Sequence, residues 1–409
     1  MTNRVELLAP AGSLNKLKYA LMYGADAVYI GGEEFSLRTA SKNFTNEEIK
    51  EGIEFAHNMG KKVYITANII AHNKDLKEFP EFVKEVGNMG ADAIIVSDLG
   101  MMDIVKEVAP NLEIHISTQA NNVNYGTVKA WYRLGAKRVI LARDLSFDEI
   151  REIRENISPD EELEAFVHGA MCISYSGRCL LSNYLTKRDA NMGACAHPCR
   201  WKYHLVEGQR PNEYMPVIEN DRGTFIFNSK DLCMIEYIPE LVNSGINSFK
   251  IEGRVKNELY VATVVKAYRK ALDAYYADPD GYTTDPKLLD ELKKVSYREY
   301  TTGFFNDRPT GDEQVYGSST YIQDYTIVGV VKSYDNETGI ATIEQRNRFF
   351  KGDEIEILSP DTENFTITAD NMTDGDGNEI DVAPHAQMTV KMKIGTPVGE
   401  YTILRMKKN

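Results

Sequence analysis

The sequence predicts an α/β protein: a (β/α)8 TIM-like barrel with a cysteine-rich insertion, followed by a small C-terminal all-β barrel. Apolar β-rich runs alternate with amphipathic helical patterns over most of the chain, which is typical of a parallel barrel. The end of the chain shows only short strands separated by turns. The predicted boundaries are 1–277 for the TIM-like domain, 172–216 for its insertion, 278–319 for a connecting segment and 320–409 for the small barrel.

Eight runs are predicted as the strands of the first barrel, because helical patterns separate them and right-handed crossovers leave few other topologies. In order they are Val5–Ala9, Ala27–Gly31, Lys62–Asn68, Ala93–Ser97, Glu113–Ser117, Arg138–Ala142, Glu164–Val167 and Ser248–Ile251. Helices are predicted over Leu14–Met22, Glu47–Met59, Leu76–Met89, Tyr125–Leu134, Phe147–Glu155 and Leu259–Tyr276. Ser13, Thr45 and Ser146 are expected to cap three of these helices.

After the insertion we expect a strand over Thr224–Asn228 and then a helix that runs through Val242. The small barrel is predicted from the runs Thr326–Ser333, Gly339–Gln345, Asp353–Leu358, Asn364–Ala369, Gln387–Lys393 and Thr402–Met406. We expect this second domain to bind or position a substrate.

Polar residues at the C-terminal ends of the barrel strands are the first functional candidates, since TIM barrels carry their chemistry there. They are Asn68, Ser97, Asp98, Ser117, Gln119, Asn121, Arg143, His168, Glu252 and Arg254.

Composition limits the location and the partners of the protein. The 409 residues are 43% hydrophobic, enough for one large core and a smaller one. No apolar run approaches the roughly 18 residues of a membrane span, and the start lacks a secretory pattern, so we expect a cytoplasmic protein with no membrane partner. The formal net charge of −14 opposes nonspecific binding to nucleic acid, so any RNA must meet a local basic patch.

Four of the five cysteines lie close together and indicate a metal site. Cys172 and Cys179 follow the seventh predicted strand, and Cys195 and Cys199 form a second pair. An odd number of clustered cysteines fits a disulfide framework poorly in a chain of this size, whereas thiolates are soft ligands for zinc or for an iron–sulfur cluster. The spacing alone favours neither metal centre.

The sequence also resembles a known family. Residues 164–172, EAFVHGAMC, and 179–182, CLLS, are similar to the signature of the collagenase-like peptidases of unassigned catalytic type. Three further runs, 7–12 (LLAPAG), 24–29 (GADAVY) and 248–254 (SFKIEGR), make the chain most similar to the branch of tRNA uridine hydroxylases. The resemblance covers nearly the whole chain.

This resemblance implies hydroxylation of the tRNA wobble uridine to 5-hydroxyuridine, a 4Fe-4S cluster held by four cysteines, and a requirement for prephenate, a small dicarboxylate. Cys172, Cys179 and Cys195 match ligand positions, and the fourth ligand is Cys199 or Cys233. We expect Cys199, because a short tether keeps it near Cys195; a buried helical thiol is the alternative for Cys233. Some related hydroxylases act as pairs, so a paralogous partner subunit is a further expectation.

Four arginines are predicted to bind the small acid, because a planar guanidinium pairs with a carboxylate through two hydrogen bonds. They are Arg38, Arg143, Arg178 and Arg254. The alternative is that each pairs with a nearby acid, Arg143 in the vicinity of Asp144 and Arg254 with Glu252.

Glu252 and His168 are the catalytic candidates. His168 is predicted at the mouth of the barrel, where an ordinary histidine pKa near neutrality would suit a proton carrier. A satisfied core histidine is the alternative.

Two short segments combine basic and aromatic residues and are candidate RNA contacts. One is Arg200, Trp201 and Lys202, where Trp201 could instead pack the cysteine loop, and the other is Arg346, Arg348 and Lys351 in the small barrel.

The leading prediction is therefore an iron–sulfur tRNA hydroxylase. The alternatives are a collagenase-like peptidase, for which the sequence offers neither a His-Glu-x-x-His nor a Gly-x-Ser-x-Gly motif, and a noncatalytic zinc-stabilised binding protein.

Overall fold

The computed structural model describes residues 4–32, 35–36, 43–172, 179, 181–188, 190, 195–201, 219–220, 223–224, 229–306 and 321–408. Of the predicted site residues, Arg38, Arg178 and Lys202 lie outside this set.

Eight parallel strands close into the predicted barrel. The first seven strands pair in order, each in parallel with the next, and the strand Ser248–Ile251 pairs in parallel with both the seventh and the first. The strands of this domain are β1 Glu6–Pro10, β2 Ala27–Gly31, β3 Lys62–Ala67, β4 Ala93–Val96, β5 Glu113–Ile116, β6 Arg138–Ile140, β7 Glu162–Ala170, β8 Glu219–Asn220, β9 Gly223–Thr224, β10 Asp231–Cys233, β11 Ser248–Ile251 and β12 Tyr300–Thr301.

Helices surround the barrel and begin where the capping residues predict. The helices are α1 Leu14–Met22, α2 Asn46–Asn58, α3 Phe79–Asn88, α4 Leu99–Val108, α5 Tyr125–Arg133, α6 Phe147–Glu155, α7 Leu181–Thr186, α8 Ile238–Asn243, α9 Glu258–Ala277 and α10 Pro286–Leu292. Ser13 accepts a hydrogen bond from the Lys16 backbone, and Thr45 and Ser146 form capping boxes with Glu48 and Glu149. Each cap satisfies a backbone N–H group at a helix start that would otherwise lack a partner.

The segment after the insertion differs from the prediction. The expected helix begins only at Ile238, because residues Asp231–Cys233 form β10 and pair antiparallel with the end of β7. Cys233 is therefore a strand residue opposite His168, and the helical reading of its position is wrong. Of the expected strand over Thr224–Asn228, only Thr224 lies within the described residues, as the end of β9.

A charged network crosses the inside of the barrel. Arg138 on β6 lies 2.6 Å from Glu6 and 3.2 Å from Glu164, and Lys250 on β11 lies 2.6 Å from Glu164. Burial alone would raise the pKa of Glu6, but the charge and the hydrogen bonds of Arg138 outweigh it and lower the pKa to about 2. These pairs join β1, β6, β7 and β11, the strands on both sides of the barrel closure.

The C-terminal domain is an antiparallel half-barrel. Its strands are β13 Tyr325–Asp335, β14 Ile340–Gln345, β15 Phe349–Phe350, β16 Glu354–Leu358, β17 Phe365–Thr368, β18 Thr373–Asp374, β19 Val382–Ala383, β20 Thr389–Lys393 and β21 Ile403–Lys407. Seven of them form one sheet in the order β17-β16-β21-β13-β14-β20-β18, and β15 pairs with β19. All six predicted strands are present.

No helix in the described part of the chain is long and apolar enough to cross a bilayer.

The two domains share a buried interface along α9 and α10. Arg405 on β21 is fully buried; its guanidinium donates to Glu356 of the half-barrel at 3.0 Å and to Thr263 of α9 at 3.2 Å, and it also pairs with Glu291 of α10. Lys266 of α9 donates to the backbone carbonyls of Ser359 and Thr362. The half-barrel is thereby fixed to the helical layer by charge-assisted hydrogen bonds.

We expect Arg405→Ala to lower the free energy of unfolding by about 3 kcal/mol, because breaking a buried ion pair leaves its carboxylates partly desolvated and opens a cavity. Lys294 contacts both Glu291 and Glu356 and still compensates part of their charge when Arg405 is absent. The loss is therefore expected at the low end of the range of about 3–5 kcal/mol for breaking a buried ion pair. Urea unfolding measures the change. Arg348→Ala, at an exposed arginine, is the control and should cost no more than about 0.5 kcal/mol. Equal losses in the two variants would contradict the assigned role of Arg405.

Candidate active site

The C-terminal ends of the barrel strands surround a cavity of about 540 Å³. Side chains that follow β3, β5, β6, β7 and β11 line it, together with residues of the insertion. Ten of the candidate residues predicted from the sequence line this cavity: Cys172, Cys179, Cys195, Cys199, Arg143, Glu252, Arg254, Asn68, Ser117 and Gln119. The fold thus brings together residues that are separated by up to nearly half of the chain.

The four cysteines reach the cavity from three segments. Cys172 follows β7, Cys179 stands before α7, and Cys195 and Cys199 flank the turn at His197. None of the five cysteines is in a disulfide. Among the described residues, no group of three or more histidine, cysteine, aspartate or glutamate side chains is close enough to hold a metal ion.

Cys233 is set apart from the other four cysteines. It is buried in the core, and burial raises the pKa of its thiol to about 12 despite hydrogen bonds from the Ile235 backbone and Tyr268. Its side chain is not among those that line the cavity.

Arg143 and Glu252 form an ion pair at the edge of the cavity. Arg143 Nη2 lies 3.3 Å from Glu252 Oε2, and the guanidinium lies 3.9 Å from the centre of the Phe166 ring. Arg143 Nε is buried and has no hydrogen-bond partner in the described structure. The alternative, that Arg143 pairs with an acid, therefore holds in kind, but the acid is Glu252 after β11 and not one near Asp144. The Nε atom of Arg143 can still donate.

Arg254 lies in a tight channel made by two glycines. A Cβ atom added to Gly31 would lie 2.6 Å from Arg254 Nη1, and one added to Gly12 would lie 2.0 Å from the Arg254 carbonyl oxygen. The guanidinium is 4% exposed and donates from Nη1 to Thr66 Oγ1 at 2.8 Å. The backbone of β1 and β2 therefore sets the position of this cation.

Three further lining residues were not singled out in the sequence. Lys256 Nζ lies 3.5 Å and the Arg298 guanidinium carbon 4.0 Å from the centre of the Tyr321 ring. Lys256 donates to the backbone and the side chain of Ser296, and burial lowers its pKa. Tyr321 comes from the start of the C-terminal domain, so that domain contributes to the wall of the cavity.

The cavity is cationic although the protein is acidic overall. Five basic side chains line it, and Glu252 is the one carboxylate among its described lining residues. These basic residues are Arg143, Lys250, Arg254, Lys256 and Arg298. Three of them pair with acids, Arg143 with Glu252, Lys250 with Glu164 and Arg298 with Asp231, while Arg254 donates to Thr66 and Lys256 donates to Ser296. Such a site fits an anionic ligand.

His168 does not sit at the mouth of the barrel, and the predicted position is wrong. Its side chain is 1% exposed and packs against the rings of Tyr260, Tyr268 and Tyr300. The cause is a β-bulge: Lys250 pairs with Phe166, but the next residue, Ile251, pairs with His168. The extra residue on β7 turns His168 to the outer face of the strand. Burial lowers its pKa to about 3, which does not suit a proton carrier near neutral pH.

The first predicted RNA segment adjoins the cavity. Pro198 and Cys199 line the cavity, and Trp201 just after them is 43% exposed. Its ring is therefore open to solvent beside the cysteines, whereas the alternative has it packed inside the cysteine loop. Arg200 ends a short 3-10 turn, and Lys202 lies outside the described residues.

The second predicted RNA segment carries less free charge than its sequence indicates. Arg346 lies 2.8 Å from Glu344, and Lys351 lies 3.8 Å from both Asp370 and Asp381. Arg348 is exposed beside them. Neighbouring carboxylates therefore offset two of the three cations.

A closed parallel barrel with a charged, cysteine-lined cavity at its C-terminal face has the architecture of a TIM-barrel enzyme. The chain belongs to peptidase family U32: the family model matches residues 12–315, and the model of the peptidase family U32 C-terminal domain matches residues 323–405. The resemblance stated from the sequence is thereby confirmed.

Several relatives bear functional names, and three of them show the range of similarity. The chain is 46% identical over 408 residues to tRNA hydroxylation protein P1 of Bacillus subtilis (strain 168), covering 100% of this chain and 96% of the relative. It is 40% identical over 429 residues to tRNA hydroxylation protein P of Escherichia coli (strain K12), covering 95% and 93%. It is 32% identical over 363 residues to a 23S rRNA 5-hydroxycytidine synthase of Escherichia coli, covering 87% of this chain and 53% of that relative.

We expect His168 to make the folded protein less stable as the pH falls. The pKa of His168 in the folded protein, about 3, lies below its ordinary value of about 6.5. The contribution of neutral His168 to the free energy of unfolding is therefore fully present above about pH 6.5 and is lost by up to about 1.4 kcal/mol per pH unit toward pH 3. His168→Gln should remove this contribution to the slope of unfolding free energy against pH, measured by urea unfolding between pH 5 and 6.5. The same variant at pH 8 measures the packing cost alone. An unchanged slope would show that His168 is protonated in the folded state.

Proposed function

We propose that this protein hydroxylates tRNA, converting the wobble uridine to 5-hydroxyuridine in a prephenate-dependent reaction. One observation carries the proposal: four cysteines and two arginines, each predicted from the sequence, line a single cavity in a chain whose relatives are named tRNA hydroxylation proteins. The cavity lies where TIM barrels perform their chemistry.

We assign a 4Fe-4S cluster to Cys172, Cys179, Cys195 and Cys199. The donor set fits such a group in kind, because these soft ligands line the same cavity and none is in a disulfide, although the described side chains do not lie close enough together to hold a single metal ion. Cys233 fits less well, since a thiol with a pKa raised to about 12 resists the thiolate form that binds metal. When bound, the cluster supplies one-electron redox chemistry at the mouth of the barrel.

Arg143 and Arg254 are the residues of this chain that would bind prephenate. Both guanidinium groups are held in place before any ligand arrives, Arg143 by Glu252 and the Phe166 ring and Arg254 by Thr66 and the backbone of two glycines. Fixed cations lose little conformational entropy on binding a carboxylate. Lys256 adds a third cation at the same wall. Arg38 and Arg178 stay predictions outside the described residues.

The tRNA would bring a single unstacked base to this cavity. Bases of a loop can be splayed out and stacked on aromatic side chains, and Trp201 offers an exposed ring next to the cysteines. Arg200 and Lys202 beside it remain candidates for phosphate contacts. A paralogous partner subunit also stays a prediction.

Metal content separates this proposal from its alternatives. The collagenase-like peptidase reading needs a nucleophile with a base, yet the cysteines at the cavity are those assigned to the cluster. The noncatalytic binding protein reading needs zinc at the same thiols. Protein purified without oxygen should therefore contain iron and sulfide rather than stoichiometric zinc.

The test of the function uses cells that lack the gene. Wild-type protein should restore 5-hydroxyuridine, measured by mass spectrometry of tRNA nucleosides, whereas Cys172→Ala, Cys179→Ala, Cys195→Ala and Cys199→Ala should each abolish it and lower the iron content, because a cluster iron loses its ligand. Cys233→Ala is the matched control and should keep both. No 5-hydroxyuridine with the wild-type protein would refute the function, and iron lost only in Cys233→Ala would refute the ligand choice.

Replacing the arginines tests the small-acid site. Arg143→Lys and Arg254→Lys should each weaken prephenate binding by about tenfold or more in calorimetric titration, because an ammonium keeps the charge but not the two-bonded fork. Arg348→Lys, on the exposed turn of the half-barrel, serves as control. Unchanged affinity in both cavity variants would show that the acid binds elsewhere.

A further inference from the structure

The wall of the cavity formed by β3 and β5 differs in chemistry from the wall that bears the cysteines and the cations. Asn68 follows β3, and Ser117, Thr118 and Gln119 follow β5; all four line the cavity. None of these side chains carries a charge. We call these four residues the amide wall.

Three polar atoms of the amide wall are buried without a hydrogen-bond partner. They are Asn68 Oδ1, Thr118 Oγ1 and Gln119 Oε1. Thr118 is 8% exposed, so its hydroxyl is shielded from bulk water. Folded proteins satisfy nearly all buried polar atoms, and a group of exceptions around a cavity therefore marks a place where a ligand supplies the missing partners.

The amide wall is held rigidly from behind. Asn68 Nδ2 donates to Ser117 Oγ at 3.1 Å, and the same hydroxyl accepts from the Gln119 backbone at 3.2 Å. Asn122 Nδ2 donates to the Ser117 carbonyl at 3.1 Å, while Trp131 Nε1 donates to Asn122 Oδ1 at 3.0 Å. These bonds use the Asn68 amino group and leave its oxygen directed elsewhere. The unpartnered oxygen of Asn68 is thus preorganised.

A carboxylate cannot satisfy the unpartnered amide oxygens of this wall. An ionised carboxylate only accepts hydrogen bonds, as do the unpartnered oxygens of Asn68 and Gln119. The ligand must instead present an N–H or O–H donor. The part of the ligand that meets the amide wall should also be neutral, because none of its four side chains carries a charge.

We propose that the amide wall binds the hydrogen-bonding edge of the pyrimidine base that is hydroxylated, with Gln119 as its principal contact and Asn68 beside it. Uracil alternates an N3–H donor with carbonyl acceptors, and a primary amide offers the complementary acceptor and donor. This inference rests on the proposed tRNA hydroxylation and names the base subsite of that same cavity. The anionic co-substrate and the neutral base then contact different lining residues of one cavity.

Gln119 gives the cleaner test, because its side chain makes no hydrogen bond within the described structure and its replacement leaves the support of the wall intact. Gln119→Leu removes both the carbonyl acceptor and the NH2 donor of the side-chain amide at similar volume. Gln119→Glu keeps the shape but removes the NH2 donor. Asn124→Asp is the control for added charge on the same loop, since aspartate caps α5 as well as asparagine does.

Expression in cells lacking the gene, followed by nucleoside mass spectrometry, should show 5-hydroxyuridine in tRNA lowered by about 10- to 100-fold for both Gln119 variants and unchanged for Asn124→Asp. Iron content and, for Gln119→Leu, calorimetric affinity for prephenate should stay within about twofold of wild type. Normal product from both Gln119 variants would overturn the inference alone. Prephenate affinity lost together with the product would also overturn it, by assigning the wall to the acid. No product from the wild-type protein would overturn the proposed function, and this inference with it.

Discussion

The double pairing of β11 with β1 and β7 is the constraint on which the site depends. It closes the barrel and delivers Glu252 and Arg254, which follow β11, to the end of β7, where Cys172 begins the insertion. Where the chain after β11 passes the end of β7, the two backbones leave no room for a side chain. Gly169 has a φ of +107°, and a Cβ there would lie 2.5 Å from the Glu252 carbonyl oxygen. Cations, carboxylate and thiols meet in one cavity because the backbones approach this closely.

The same closure explains which predictions from the sequence succeeded. Strands and helix caps depend on residues near one another in the chain, so periodicity and capping patterns located the eight strands and the starts of α1, α2 and α6. Residues just after barrel strands, such as Arg143 and Arg254, could be found by counting to the end of each strand. The bulge opposite Lys250 could not, because it depends on the register between strands far apart in sequence. His168 therefore looked like a mouth residue and is a core residue.

Some residues that line the cavity could not be predicted from the sequence, because they come together only through contacts between distant parts of the chain. Lys256 and Arg298 carry no local motif, and Tyr321 reaches the barrel only because the half-barrel is fixed to α9 and α10 through Arg405 and Lys266. The second domain is thus more than an appended module. A residue at its start forms cavity wall, and two cations of the barrel are packed on that residue's ring. Any movement between the domains would change the shape of the site as well as the surface around it.

Charge distribution indicates where recognition of RNA must come from. The chain carries a formal net charge of −14, and in the half-barrel the cations Arg346 and Lys351 lie beside carboxylates. Phosphate contacts, which dominate the affinity of most nucleic-acid-binding proteins, are therefore few on this surface. Inside the cavity, Arg254 donates to the Thr66 hydroxyl and Lys256 donates to the Ser296 backbone carbonyl. On the proposed function, discrimination depends on what the cavity accepts: an anion against the guanidinium groups, and a base that can satisfy the amide oxygens of Asn68 and Gln119.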